Sequence, residues 1–195
     1  KLEAAQGCRS ARLRSRVPDA DQRLSIAHLD LSSFPREISS YASTLKSLDA
    51  SHNQLNSLRP LEDFHLLETL VLDSNQIEHN CVMPYLPNLK YLSVNTNRIA
   101  NLDRFLGALR ESCPSLHWLS LVNNVACPYF ATGPPTSRGD YTEYRLQVLS
   151  TLQTLKVLDH AHVTVEERSR VAARRDIAKA RKSSDATQES GWYNV

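Results

Sequence analysis

The chain has 195 residues, 41% of them hydrophobic, with 23 Lys and Arg against 21 Asp and Glu for a formal net charge of +2. That length suits one domain with a continuous core, and the near balance of charge argues against a dedicated nucleic-acid binder, which carries a strong basic surplus. With five glycines and no continuous apolar run of the ~18 residues that a membrane span needs, Gly-rich phosphate loops and a transmembrane helix are excluded as well.

Residues 1–23 hold six basic and three acidic side chains. Arg9, Arg12, Arg14 and Arg16 run into Pro18, Asp19 and Asp21 without developing an apolar face, so the segment reads as a basic N-terminal arm rather than a targeting peptide. From residue 24 to 163 one frame recurs: an apolar residue, two spacers, an apolar residue, one spacer, an apolar residue, two spacers and usually Asn. A weak copy stands at Ile26, Leu29 and Leu31. Three clean copies follow at Leu45, Leu48, Ala50, Asn53, Leu55, then Leu67, Leu70, Leu72, Asn75, Ile77, then Leu89, Leu92, Val94, Asn97, Ile99, starting 22 residues apart. Looser copies come at Leu116, Leu119, Leu121, Asn124 and at Leu155, Leu158.

This frame resembles the leucine-rich repeat, in which each unit is a short strand plus a return path and buries its apolar side only by stacking on its neighbours. The predicted architecture is an α/β leucine-rich repeat solenoid of about six repeats, with a parallel concave sheet and a helical C-terminal cap. Alternation along each strand turns Leu70 and Leu72 inward and Thr69, Val71 and Asp73 outward. An amide carries both donors and acceptors, so Asn53, Asn75, Asn97 and Asn124 are expected to form a buried ladder that satisfies backbone groups where the chain leaves each strand.

Further along, Leu102, Phe105, Leu106 and Leu109 lie at i, i+3, i+4 and i+7 between a capping Asn101 and Pro114, which predicts a convex-side helix. The Pro/Gly-rich stretch from Cys127 to Asp140 predicts an irregular loop. A capping box at Asp140 and Glu143 predicts a helix with Tyr141, Tyr144, Val148 and Leu152 on one face, followed by a last strand at Leu155 and Leu158. A second box at Thr164 and Glu167 opens a basic helix over residues 164–182, and residues 183–195 read as a flexible tail.

The runs LVLDSNQI, VMPYLPNLKYLSVNTNRI, LHWLSLVNNVACP and DYTEYRLQVLSTLQTLKVLDHAHVTVEER, over roughly residues 67–170, resemble the leucine-rich melanocyte differentiation-associated protein family. VNNVACP, followed by a loop and Tyr141, Tyr144 and Arg145, is the most specific part, because the generic repeat does not demand those residues. The cap, with Tyr144, Arg145, Leu158, Asp159, Val163 and Glu167, is also similar to that of the U2 A-prime protein and of ciliary leucine-rich repeat proteins. The resemblance implies a non-enzymatic intracellular adaptor, linked in the best-known relative to pigment organelles through Rab-type GTPases and endosomal sorting. The 128–140 loop and the tail depart from that relative.

The concave positions, strand by strand, are His28, Asp30, Ser32; Ser47, Asp49, Ser51; Thr69, Val71, Asp73; Tyr91, Ser93, Asn95; Trp118, Ser120, Val122; and Val157, Asp159. Tyr91 and Trp118 share a column on a face that packing does not require to be apolar. With Val71, Asp73, Asn95 and Val122 they form the candidate partner-binding patch. The bland alternative is that the cap loop folds over the two rings. A second candidate contact comprises Arg174, Arg175, Arg181 and Lys182 of the basic helix with Trp192 and Tyr193, against the alternative of a solvated helix. His160 and His162 lack further ligands at zinc spacing, so no metal and no cofactor are expected.

The expected function is therefore a non-catalytic protein–protein interaction adaptor, engaging a small GTPase of the Rab type in endosomal or organelle trafficking. The alternative is a structural subunit of a large assembly, either a ciliary axoneme or microtubule structure or a ribonucleoprotein, with RNA or tubulin as less favoured partners. Four scattered cysteines and no Asn-x-Ser/Thr site favour a cytoplasmic, reducing compartment, and the resemblance implies association with a cilium or organelle surface.

Overall fold

The computed structural model of the chain describes residues 16–128 and 138–189. Arg9, Arg12, Arg14, most of the Pro/Gly-rich loop, Trp192 and Tyr193 lie outside them. The molecule divides into two units, Lys1–His162 and Val163–Val195. In the first, seven short strands form one sheet in chain order: β1 (Arg23–Ser25), β2 (Ser47–Asp49), β3 (Thr69–Val71), β4 (Tyr91–Ser93), β5 (Trp118–Ser120), β6 (Val157–Leu158) and β7 (Ala161–His162). β1 to β6 pair parallel in one register, with Leu24, Leu48, Leu70, Leu92, Leu119 and Leu158 aligned and buried. A leucine-rich repeat solenoid results, because only a shared inward leucine row lets three-residue strands bury apolar surface together.

The return paths supply the other wall. Two 3-10 turns, Arg36–Tyr41 and Arg59–Leu61, bury Ile38 and Leu61. Helix α1 (Leu102–Ser112) buries Phe105, Leu106 and Leu109, and the Asn101 side chain accepts the Arg104 N–H at 3.0 Å to cap it. Helix α2 (Arg138–Thr151) begins three residues earlier than a capping box at Asp140 predicts, so Asp140 sits in the first turn, where its charge complements the positive helix end. α2 and the antiparallel β6–β7 hairpin end the stack.

The asparagines tie each repeat to the one before it. The amide oxygen of Asn75 accepts Leu55 N–H at 2.9 Å, that of Asn97 accepts Ile77 N–H at 2.9 Å, and that of Asn124 accepts Ile99 N–H at 3.0 Å. Asn53 does the same for Leu29 and Leu31 N–H at 3.1 and 3.0 Å. Each amide NH2 donates backward to Ile26, Ala50, Leu72 or Val94 C=O and also to a carbonyl of its own turn. All four asparagines are buried. The residue before each of the four asparagines is left-handed, His52, Ser74, Thr96 and Asn123 having φ of 53, 56, 53 and 61°, and so is His28, before Leu29, at 58°.

The first repeat departs from its expected frame. Its strand is Arg23–Ser25, with Leu24 opposite Leu48, and not the segment around Leu29 and Leu31. Ile26 takes the place of Ala50, and Leu29 stands where later repeats have Asn. The apolar spacings of Leu24, Ile26, Leu29 and Leu31 fit the frame in two registers, and hydrogen bonding selects the earlier one. His28, Asp30 and Ser32 therefore lie beyond the strand, in the turn, and His28 stacks on His52 with ring centroids 4.2 Å apart.

In the second unit, helix α3 spans Val165–Glu189. Thr164 Oγ1 accepts Glu167 N–H at 3.1 Å while Thr164 N–H donates to the Glu167 carboxylate at 2.8 Å, a reciprocal capping box. The helix continues past residue 182, where a tail was expected, because residues 183–189 contain no Gly or Pro to stop it.

Candidate functional site

Residues on either side of each inward leucine face outward, and the shared register stacks them into columns. The first column passes through Ser47, Thr69, Tyr91 and Trp118. Adjacent strands stand about 4.8 Å apart, so two large rings at equivalent positions are held face to face. Tyr91 and Trp118 stack with centroids 3.8 Å apart and planes 12° from parallel. His160, after β6, meets the indole edge-on at 5.6 Å and 68°. Both Tyr91 and Trp118 remain half-buried.

Beside this row runs a polar network. Asp73 accepts the Ser93 hydroxyl at 2.6 Å, Asn95 N–H at 2.8 Å and the Asn95 amide at 3.2 Å, and the Ser120 hydroxyl donates to Asn95 at 2.6 Å. Asp49 accepts the Ser25 hydroxyl at 3.3 Å and Ser51 N–H at 3.0 Å. These hydrogen bonds fix the carboxylates without neutralising them. The Tyr91 phenol is pushed up from its ordinary pKa, first by burial and then by the neighbouring Asp73 charge.

Of the expected patch, Val71, Asp73, Tyr91, Asn95 and Trp118 are together and half-buried on this face. Val122 is not part of the open surface: it is 8% exposed and belongs to the core. Of the second expected contact, Arg174 is exposed and Arg175 half-buried on α3, and Arg181 and Lys182 follow on the same helix. Trp192 and Tyr193 lie outside the described residues.

Asp159 is a further correction. Placed on the concave face by strand alternation, it is 6% exposed, because the chain turns left-handed at Asp159 and His160 with φ of 49 and 69°. Its carboxylate accepts Leu121 N–H at 2.8 Å and the Tyr141 hydroxyl at 3.4 Å, and the Cys127 thiol lies at 3.9 Å. Burial raises the Asp159 pKa, opposed by the Leu121 N–H, Tyr144, Arg145 and Tyr141. Arg145, also buried, donates to Leu158 and His162 C=O at 2.9 and 3.3 Å, holding the terminal hairpin against α2. Tyr141, Tyr144, Arg145 and Asp159 thus build the end of the solenoid, a polar cluster that repeat periodicity does not signal. The one sequence clue to it was the cap's resemblance.

Near the C-terminal ends of α1 and α2, a depression of about 230 Å³ is lined by Arg110, Cys113, Pro114 and residues 151–154. Burial pushes the Cys113 thiol up to about 12, which leaves it protonated and unreactive. Among the described residues no group of three His, Cys, Asp or Glu side chains is placed to hold a metal ion, and no helix is long and apolar enough to cross a membrane.

No protein-family model matches the chain. Human leucine-rich melanocyte differentiation-associated protein is 39% identical over 144 residues, covering 73% of this chain and 73% of that protein. Human tubulin-specific chaperone E is 34% identical over 149 residues, 70% of this chain but 26% of the chaperone. The U2 small nuclear ribonucleoprotein A′ of Arabidopsis thaliana is 32% identical over 119 residues, 54% of this chain and 47% of that protein. Among solved structures, the Drosophila melanogaster SNF/U2A′ complex contains a chain that superposes with a TM-score of 0.64 at 20% identity, over 89% of this chain and 92% of that one. That superposition is a likeness of fold.

Proposed function

Because the chain belongs to the leucine-rich melanocyte differentiation-associated protein family, we propose that it is a non-catalytic adaptor that docks a protein partner on its concave sheet. The observation that carries this reading is the Tyr91–Trp118 stack, two large rings left half-buried on a face that the fold does not need to be aromatic. Rings of this kind supply large contact area at little cost in side-chain entropy, which is why they concentrate at interaction hot spots. Asp73 and Asn95 beside them offer the polar rim that fixes orientation.

The partner we propose is a small GTPase of the Rab type, with the protein acting in the cytoplasm in endosomal or organelle trafficking. The family resemblance supports that choice. Affinity purification from the native organism, with GDP or a non-hydrolysable GTP analogue present, is the test. Nucleotide-dependent recovery of a Rab-type GTPase, lost in Trp118→Ala at an unchanged melting temperature, is the expected result. Recovery that is indifferent to nucleotide overturns the GTPase assignment; recovery indifferent to Trp118→Ala overturns the concave site.

A second reading, a structural subunit of a large assembly, is favoured by the sequence relatives, one a ribonucleoprotein component and one a tubulin chaperone by name. Salt-sensitive co-sedimentation with microtubules or retention on RNA would favour it over the adaptor reading.

A further inference from the structure

We infer that the partner anchors on this sheet through an arginine side chain, its guanidinium laid against the open face of Tyr91 with Asp73 and Asp49 as counter-charges. This rests on the docking reading above.

The first observation is the shape of the aromatic row. Tyr91 and Trp118 are stacked nearly parallel across adjacent strands, so one face of each ring is turned to the other. The far end of the row is taken by His160, which meets Trp118. On its other side Tyr91 is followed in register by Thr69 and then Ser47, both small. The aromatic wall therefore ends in a step. Above Thr69 a flat group can lie against the phenol ring, with no ring or cation of the described residues already there.

The second observation is charge. The outward positions of β2 to β5, from Ser47 to Val122, include Asp49 and Asp73 and no Lys or Arg. Both carboxylates are half-buried and receive only neutral donors: Ser25 and Ser51 for Asp49, Ser93 and Asn95 for Asp73. Neither forms an ion pair among the described residues. The nearby cations are Lys46 and Lys90, one residue outside the first column on the rim, with Lys90 engaged by Glu68 at 2.7 Å, and Arg23, which continues the first column beyond Ser47 and pairs with Asp21 at 3.7 Å. A negative floor beside an electron-rich ring face is complementary to a cation. Arginine fits better than lysine, because its planar guanidinium stacks on a ring while its edge donates to a carboxylate.

The test uses the full chain, isotope-labelled, and a blocked nonapeptide of Gly and Ser carrying three arginines, titrated by NMR at fixed ionic strength. Its counterpart carries citrulline, which keeps the shape and removes the charge. Saturable shifts centred on Tyr91, Trp118 and Asp73 are expected for the arginine peptide, with binding about tenfold weaker for citrulline, the factor expected from one exposed cation–π contact plus one ion pair. The Asp49→Asn/Asp73→Asn double variant should lose a similar factor for the arginine peptide and nothing for the citrulline peptide. Tyr91→Phe, which keeps the ring face, should bind like wild type, whereas Tyr91→Leu should not, each variant first being shown to melt at the wild-type temperature.

Equal binding of the two peptides, shifts centred elsewhere, or no saturable shift overturns the inference. If it fails in this way while Trp118→Ala still abolishes partner recovery, the docking reading stands without the arginine. If Trp118→Ala leaves recovery intact, both fall.

Discussion

Replacing Asn75 with Leu removes four hydrogen bonds at once, one accepted from Leu55 N–H at 2.9 Å and three donated to the Ala50, Leu72 and Asp73 carbonyls at 3.0, 3.0 and 3.3 Å. The consequences are unequal. Ala50 C=O keeps the Asn53 amide, Leu72 C=O keeps the Asn97 amide, and Asp73 C=O keeps His52 N–H. Leu55 N–H has no second acceptor among the described residues and is left buried and unpaired. An orphaned buried donor costs about 1 to 3 kcal/mol, and the weakened carbonyls are offset by the apolar side chain that replaces the amide, so a loss of about 2 kcal/mol is expected. At a urea dependence of roughly 2 kcal/mol per molar, the unfolding midpoint should fall by about 1 M. Asn75→Asp is the informative control, since it keeps an acceptor for Leu55 N–H but aims carboxylate oxygens at three carbonyls. It should be less stable than Asn75→Leu at neutral pH and should recover on acidification, when a protonated carboxyl can donate. An unchanged midpoint in Asn75→Leu would show that the ladder contributes nothing net and would refute the reasoning.

Three further outcomes follow from local geometry. Gly107 lies inside α1 with nothing within 4 Å of where a Cβ would stand, so Gly107→Ala should raise stability by roughly 0.5 to 1 kcal/mol, and a lower melting temperature would contradict it. Thr96 is β-branched yet left-handed at φ 53°; Thr96→Asn, which tolerates that conformation, should gain about 1 kcal/mol in a thermal melt, and no gain would mean the turn is unstrained. Burial raises the Asp159 pKa above 3.8, so the folded state holds this proton to higher pH than the unfolded chain. The stability this contributes is present below the unfolded value and is lost as pH rises through the folded one. Urea midpoints should accordingly show wild type falling relative to Asp159→Asn as pH is raised from 3.8, and parallel pH profiles would remove Asp159 as the cause.

The repeats from β2 to β5 are legible in the sequence because two signals coincide there, the inward leucines at fixed spacing and the asparagine that follows them. Where one signal is missing, the reading slips. In the first repeat Leu29 occupies the asparagine position, and the apolar residues alone fit two registers. At the other end alternation put Asp159 on the surface, whereas the left-handed turn after β6 carries it inside among Tyr141, Tyr144 and Arg145. Val122 misled in the same way, an outward position covered by its surroundings. Tyr91 and Trp118 were found correctly as neighbours because register is a property of the backbone. Their stacking with each other and the step down to Thr69 follow from side-chain geometry, which no pattern of residue types states.

The asparagine ladder is not symmetric along the solenoid axis. Each amide oxygen accepts an N–H from the turn of the repeat before it, so this one donor of each repeat is satisfied by its successor. Residues removed from the N-terminal side would leave no such N–H exposed, but an array cut at the C-terminal side would end on one. At the last repeat a different bond is replaced: the N–H that Leu72 and Val94 give to a carbonyl of the next strand is given by Leu121 to the Asp159 carboxylate. During synthesis from the N-terminus the growing stack therefore carries open backbone donors at its leading end, which each new repeat covers and renews, and the cap covers the strand donor left at Leu121.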